Sequence, residues 1–402
     1  MNVLVINQPL GNRGDEAAHR SLMRALLQIE GNVYTVLLAN ESKERISQFV
    51  VKSERIHYCN IPLHRGFMRL VRAAFVYKLI SVLIHVHPNV RAYAKYICRA
   101  DFVLSAPGGI CMGQFKNWSH VLWLYIARAQ RKPVAYYSRS FGPFNHASKS
   151  DKVFYRISLN LLNSFRFLSI RDKKTMDLAD SLHLSYIPSI DTAFLDVPDV
   201  VVPDWIWKEI NSDNYIVFVP NSLTWHPAYR HVDQTTIDKM YHEIMKNLYE
   251  KYPGIRVVLL PQLCGDVHGD RAYFIKLVEQ CPYNAVVLPD TISSDIQQKI
   301  ISQSIFVIGA RYHSIVFAIN NSVPFIALSY EHKIAGLLSL LHLVDNMVDI
   351  TSIGSGNENL VNILSVIAKR LPMILPVAVE EKYRIEAQSI AKNCFVRLRE
   401  NI

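Results

Sequence analysis

Short apolar runs, each closed by a turn and followed by an amphipathic stretch, recur along this chain and constrain its fold more than any other feature. The runs lie at 2–7, 33–38, 102–105, 134–137 and 167–170, then at 216–220, 257–261, 285–288, 305–308 and 325–329. In the second series, amphipathic stretches near 233–251, 270–280, 293–303, 312–320 and 331–342 intervene. That is the pattern parallel βαβ units require. Between the two series, residues 196–214 carry Asp196, Pro198, Asp199, Pro203, Asp204 and Asp213 and read as a linker. A chain of 402 residues exceeds one ordinary core. The sequence therefore predicts an α/β protein of two Rossmann-like, doubly wound domains facing a cleft. Residues 1–195 form an N-terminal domain and 196–375 a C-terminal one, with a helical segment, 376–402, crossing back.

Within this pattern the most telling turn is Gly309-Ala310-Arg311-Tyr312-His313, between the apolar run 304–308 and the helical stretch after it. A guanidinium suits a carboxylate or phosphate, and an imidazole two residues on can move a proton near neutral pH. Ligands of open α/β sheets bind at such carboxyl-end turns. The structural alternative is that Arg311 pairs with an acidic residue and His313 caps the helix.

Other turns share that rim. The first strand ends in Gly11-Asn12-Arg13-Gly14-Asp15, where the glycines allow close approach and Asn12 or Asp15 can cap a helix able to bind an anion. The spacing is not that of a dinucleotide fingerprint. Gly108-Gly109 and Ser138-Arg139-Ser140-Phe141-Gly142 follow later strands. Three such turns, with Arg13 and Arg139 among them, favour a cleft. Asp172 stands where an N-cap belongs, and Asp191 is either a cap or a group facing the cleft. Polar loops at 221–226 and 262–266 and the pair Glu331, Lys333 continue the rim in the second half. Lys333 either aims a cation at an anion or extends into solvent.

Charge is unevenly spread. Residues 1–200 hold 26 Lys and Arg against 14 Asp and Glu, and residues 201–402 hold 18 against 20. From Arg55 to Ala100 no acidic residue occurs, and the cations of 65–99 interleave with Phe67, Leu70, Phe75, Leu79 and Ile80. Such a stretch reads as a solvated helix face, as a helix lying on an anionic membrane, or, least consistently with its surroundings, as a nucleic-acid patch. The start reads as a strand rather than a leader, and no uncharged apolar run reaches eighteen residues. Six scattered cysteines, including Cys281, read as free thiols without metal-ligand spacing.

The motifs, taken in order, resemble the polysaccharide pyruvyl transferase family over about residues 2–340. They are Gly14-Asp15-Glu16, Gly108-Gly109, Phe141-Gly142-Pro143, Arg171-Asp172, Asp191-Thr192-Ala193, Gly309–His313, and Pro324 with Ser329-Tyr330-Glu331-His332-Lys333. Pro107-Gly108-Gly109 stands where a longer glycine run is common, and Ser138-Arg139-Ser140 where small residues are common. The resemblance implies a glycosyltransferase-B-like enzyme that transfers pyruvate from phosphoenolpyruvate to sugar hydroxyls as a ketal, in exopolysaccharide or capsule synthesis. It implies no metal or organic cofactor, with phosphoenolpyruvate as donor substrate. His313 would then be the acid–base group and Asp15 and Asp191 its partners at the acceptor hydroxyls. Arg311 would clamp the donor, with Asn12, Gly14, Gly108, Gly109, Arg139, Gly309 and Lys333 lining the substrates. The acceptor is expected to be polyprenyl-linked, at the inner face of the cell membrane, with peripheral contact through 65–99 and no nucleic-acid partner. The rival activity is a nucleotide-sugar-dependent glycosyltransferase of the same architecture.

Overall fold

The computed structural model describes residues 1–265, 269–280, 284–354, 356–374 and 381–402, with only the backbone at 357 and 372–374. Asp266, Cys281 and the expected boundary at 375–376 lie outside the described residues. The chain packs as two units. Met1–Leu10, Ala18–Leu195 and Ile390–Ile402 form the first, and Gly11–Ala17 with Asp196–Ser389 the second. The loop after the first strand, which the sequence assigns to the N-terminal domain, thus packs with the second unit.

The first unit contains β1 (Asn2–Ile6), α1 (Arg13–Leu27, its first turn in the second unit), β2 (Val33–Ala39), α2 (Lys43–Phe49) and β3 (Ile56–Ile61). It continues with α3 (Phe67–Val76), α4 (Ile80–Val86), α5 (Pro88–Arg99), β4 (Phe102–Ser105), α6 (Trp118–Ala129) and β5 (Val134–Tyr136). It closes with α7 (Lys149–Leu162), β6 (Phe167–Ile170), α8 (Lys173–Ser181) and β7 (Ile187–Pro188). Its sheet is parallel, in the order β3-β2-β1-β4-β5-β6-β7. The central β1 is buried except at Asn2, with Leu4 opposite Thr35 on one side and Val103 on the other. Burial on both faces explains why such strands read as continuous apolar runs.

In the second unit α9 (Asp204–Ile210) lies inside the stretch read as a linker, and β8 (Tyr215–Val219), α10 (Gln234–Lys251), β9 (Arg256–Leu259) and α11 (Asp270–Glu279) follow. Next come β10 (Ala285–Val287), α12 (Ser294–Ser302), β11 (Val307–Gly309), α13 (Tyr312–Asn320), β12 (Phe325–Ser329) and α14 (His332–Leu340). The unit ends with β13 (Met347–Asp349), α15 (Asn357–Ile374) and α16 (Glu381–Arg399), whose last ten residues pack with the first unit. This sheet is also parallel, ordered β10-β9-β8-β11-β12-β13. In each sheet the winding reverses once, between β1 and β4 and between β8 and β11. The carboxyl ends at those reversals are where open α/β sheets leave a crevice.

The sequence pattern misses β3, β7 and β13. β3 is only partly buried, with His57 and Asn60 exposed, and it sits in the cation-rich stretch. That stretch is three helices, not one. Lys78 adopts φ 60° between α3 and α4, and His87 caps α5, whose first residue is Pro88. α6 is buried nearly all round, and its Trp123 ring stacks on Tyr93 at 3.7 Å between centroids.

Candidate functional site

The Arg311–His313 turn lies at the winding reversal of the second sheet. β11 ends at Gly309, where a Cβ would lie 2.1 Å from Ser314 Oγ, so only glycine fits. Arg311 is the N-cap of α13 without a side-chain cap bond, and Ser314 Oγ donates to the Arg311 carbonyl at 2.6 Å. His313 is the second helical residue and does not cap. The Arg311 guanidinium pairs through Nη2 with Asp270, as the structural alternative anticipated. Asp270 is itself fixed, its Oδ2 accepting from the backbone N–H of Gln262 at 3.0 Å and Leu263 at 2.8 Å. Burial, the largest single influence, works against the Arg311 charge, but the Asp270 carboxylate together with Tyr330 and Tyr241 outweighs it and the guanidinium pKa rises. The half-exposed Trp225 ring lies 5.8 Å from the guanidinium carbon, and its Nε1 donates to Asn221 Oδ1 at 2.8 Å.

The loop after β1 completes this cluster. A Cβ on Gly14 would lie 1.7 Å from His313 Nδ1, so backbone and imidazole pack in direct contact there. Asn12 and Asp15 bond reciprocally: Asn12 Nδ2 donates to Asp15 Oδ2 and Asp15 N–H donates to Asn12 Oδ1, both at 2.8 Å. Asn12 therefore caps α1, and Asp15 sits one residue from the glycine that meets His313. Arg13 has a different task from the one its sequence position suggests. It is fully buried, pairs with Glu16 at 2.6 Å, and donates to the Asp290 carbonyl, while its N–H donates to Gln262 O at 2.8 Å. It fastens the loop to the turns after β9 and β10.

Three buried nitrogens in this cluster have no hydrogen-bond partner among the described residues: Arg311 Nε, Asn221 Nδ2 and Gln262 Nε2. They follow β11, β8 and β9, and Trp225 and Asp270 link the loops that carry them. All three are donors. Unmet buried donors cost free energy until an acceptor-rich partner arrives, so the site suits an anion such as a carboxylate or phosphate. On the same rim Lys333 pairs with Glu331 at 3.2 Å, and His226 lies 4.0 Å from the same carboxylate. Glu331 is the N-cap of α14, which places Lys333 in that helix's first turn.

Asp191, Gly108, Gly109 and Arg139 belong to the first unit. Asp191 is fully buried, pairs with Arg171, and accepts the Ala193 N–H at 3.0 Å. The Ala193 contact is of the kind a capping carboxylate makes. Arg139 is buried. It donates to the carbonyls of Asn7 and Ala106 and lies 3.3 Å from Cys111 Sγ. Its guanidinium thus fills the winding reversal between β1 and β4. Gly108 packs over it, where a Cβ would meet Arg139 Nη2 at 3.0 Å, while a Cβ on Gly109 would meet nothing within 4 Å. Asp172 caps α8 by accepting the Thr175 N–H at 2.9 Å. Sequence reasoning missed Asp270, whose position at a helix start reads as simple dipole complementarity. It also missed Asn221 and Gln262 as individuals, although their loops stood out as polar carboxyl-end turns.

Two parallel, doubly wound sheets with carboxyl-end sites define the glycosyltransferase-B-like class. Solved structures of that architecture are similar to this chain from end to end. The UDP-GlcNAc 2-epimerase of Methanocaldococcus jannaschii matches with a TM-score of 0.60 at 11% identity, covering 100% of this chain and 99% of its own. The spinosyn rhamnosyltransferase SpnG matches at 0.56 and 12%, covering 100% of both. At such identities these likenesses speak for the fold alone. The family comes from sequence: residues 12–332 match the polysaccharide pyruvyl transferases, and the chain belongs to that family of enzymes. The amylovoran biosynthesis protein AmsJ of Erwinia amylovora is 23% identical over 393 residues, covering 88% of this chain and 89% of its own.

Proposed function

We propose that this enzyme transfers pyruvate from phosphoenolpyruvate to two hydroxyls of a sugar, forming a ketal in exopolysaccharide synthesis. The observation that carries the reading is the donor-rich cluster of Arg311, Asn221 and Gln262 beside His313. Phosphoenolpyruvate presents a carboxylate and a phosphate, both acceptor-only when ionised, and the unmet donors match them. The chemistry needs one proton delivered to the methylene carbon C3, which leaves C2 electrophilic. A sugar oxygen bonds to C2 and loses its proton. The C2–O bond to phosphate then breaks, and the second sugar oxygen takes its place with loss of another proton. The products are the ketal and inorganic phosphate, without oxidation or reduction. A positioned acid–base group contributes about 10²–10⁴-fold to such a step. His313, held by Gly14 and followed by the rest of α13, is assigned that work, with Asp15 close by in sequence to engage an acceptor hydroxyl.

The acceptor is assigned as a sugar of a polyprenyl-linked precursor at the cytoplasmic face of the membrane; among the described residues no helix is long and apolar enough to cross it. AmsJ, named for amylovoran biosynthesis, supports a place in polysaccharide assembly. The test is phosphate release from phosphoenolpyruvate by purified enzyme with a panel of galactosides, mannosides and N-acetylhexosaminides. Acceptor-dependent release that Arg311→Ala and His313→Ala abolish is the expected result. Stabilisation of the folded enzyme by nucleotide sugars and not by phosphoenolpyruvate would overturn it in favour of glycosyl transfer.

A further inference from the structure

The acid-free stretch between β3 and β4 carries a surface that the proposed chemistry does not use. Six of the seventeen exposed large apolar side chains among the described residues fall in 68–86: Met68, Leu70, Tyr77, Leu79, Val82 and Val86. They are 39% to 68% exposed, so this is a patch and not the ordinary scatter of surface aliphatics. Its construction follows from the helices. α3 buries Phe67, Val71, Ala74 and Phe75 and turns Met68 and Leu70 outward. α4 buries Ile80 and Leu83, while Leu79, Val82 and Val86, spaced three and four apart, form its outer stripe. Around the stripe, Arg65, Arg69, Arg72 and Lys78 are exposed, and α5 adds Arg91, Lys95 and Arg99. No Asp or Glu occurs from Arg55 to Ala100 to neutralise them. The cationic character extends to an open recess of about 360 Å³ lined by Arg128, Arg131, Lys132 and Arg166. Lys132 ties that recess to the end of α5 by donating to the carbonyls of Cys98 and Ala100, both at 2.7 Å.

We infer that α3 and α4 dock this enzyme on an anionic lipid bilayer, with the Leu79–Val82–Val86 stripe entering the headgroup boundary and the surrounding cations meeting lipid phosphates. Aliphatic side chains gain by leaving water at that boundary, and each nearby Lys or Arg adds attraction to anionic lipid. A nucleic acid would reward the cations but offer the aliphatic stripe nothing. A second copy of the chain would bring like charges together across a self-complementary contact. The inference stands whatever the donor and acceptor prove to be.

The experiment is flotation of the full-length enzyme with vesicles of phosphatidylcholine alone or mixed with phosphatidylglycerol. Wild type should float with the mixed vesicles only, and rising salt should weaken it. Replacing Leu79, Val82 and Val86 together by Ser should lower the bound fraction about tenfold or more. Arg69→Gln, Arg72→Gln and Lys78→Gln should cost about fivefold each. All these side chains are exposed, so phosphate release from phosphoenolpyruvate with soluble acceptors and the thermal midpoint should stay at wild-type values. Three outcomes would overturn the inference. They are wild type that ignores anionic vesicles, flotation indifferent to the serine variant, and a serine variant whose main effect is conversion of a dimer to a monomer. Salt-sensitive binding to oligonucleotides without binding to vesicles would assign the patch to nucleic acid instead.

Discussion

At the scale of single residues, the site is defined by how little room surrounds the imidazole. Gly14→Ala places a methyl 1.7 Å from His313 Nδ1, so the ring must move. The expected loss is about 10²-fold in kcat, as for misplacement of a catalytic group by about an ångström, against an overpacking cost of about 1–3 kcal/mol in stability. If the effect runs through the ring, adding Gly14→Ala to His313→Ala costs nothing further in kcat. Additive losses in that double-mutant cycle would contradict the account. Asp270 invites a second test. Asp270→Asn leaves the largely buried Arg311 without its carboxylate, which should lower unfolding stability by about 3 kcal/mol and raise the KM for the donor. Denaturant titration and steady-state kinetics measure the two effects. A KM unchanged in that variant would show that Asp270 does not position Arg311. Arg311 and His313 were legible in the sequence because a guanidinium and an imidazole follow a buried strand and glycine. Asp270 was not, because its partner lies 41 residues away. The carbonyl contacts of Arg139 were not legible for a related reason: a charge in a carboxyl-end turn looks the same whether it faces solvent or two backbone carbonyls.

At the scale of elements, the strands that the sequence revealed are those buried on both faces, where apolar runs are unbroken. β3 escaped because it is an edge strand whose apolar run is interrupted by the exposed His57 and Asn60. The cation-rich helices ran together because their breaks, a left-handed Lys78 and a Pro88 admitted at the first helical position, are weak punctuation. α1 carries a feature that sequence does not expose. His19 is buried between Gln8 Oε1 and Tyr58 Oη, each at 2.9 Å. Burial, with Arg20 and Arg24 adding to it, pushes the His19 pKa down from 6.5 to about 3. The folded chain therefore holds it neutral, while the unfolded chain takes up a proton below pH 6.5. Stability should be fully present above that pH and fall as pH drops towards about 3, by ~1.4 kcal/mol per pH unit for this group. Unfolding measured across that range should lose one proton's worth of slope in His19→Gln. An unchanged slope would show that His19 does not remain neutral in the folded state.

At the scale of the whole molecule, the two sheets repeat one winding and differ in what stands at its reversal. In the first, one Arg139 guanidinium nitrogen bonds the backbone carbonyls of Asn7 and Ala106, while its Nε has no hydrogen-bond partner among the described residues. In the second, Asn221, Gln262 and Arg311 leave donors unmet beside His313. The alternating pattern made the class of fold legible, and the order of short motifs made the family legible. Which reversal gathers unmet donors from three separate loops was not legible, since it depends on contacts that only folding creates. Short of the acceptor's identity, the central claim is that the pyruvyl carbon itself is transferred as a ketal. The most direct measurement supplies phosphoenolpyruvate isotopically labelled at C2 together with an acceptor that supports phosphate release. The resulting saccharide is then examined by NMR. The account predicts the label in a quaternary ketal carbon joined to two sugar oxygens, formed by wild type and absent with His313→Ala. A label recovered only as free pyruvate, or as a vinyl carbon joined to one sugar oxygen, would contradict it.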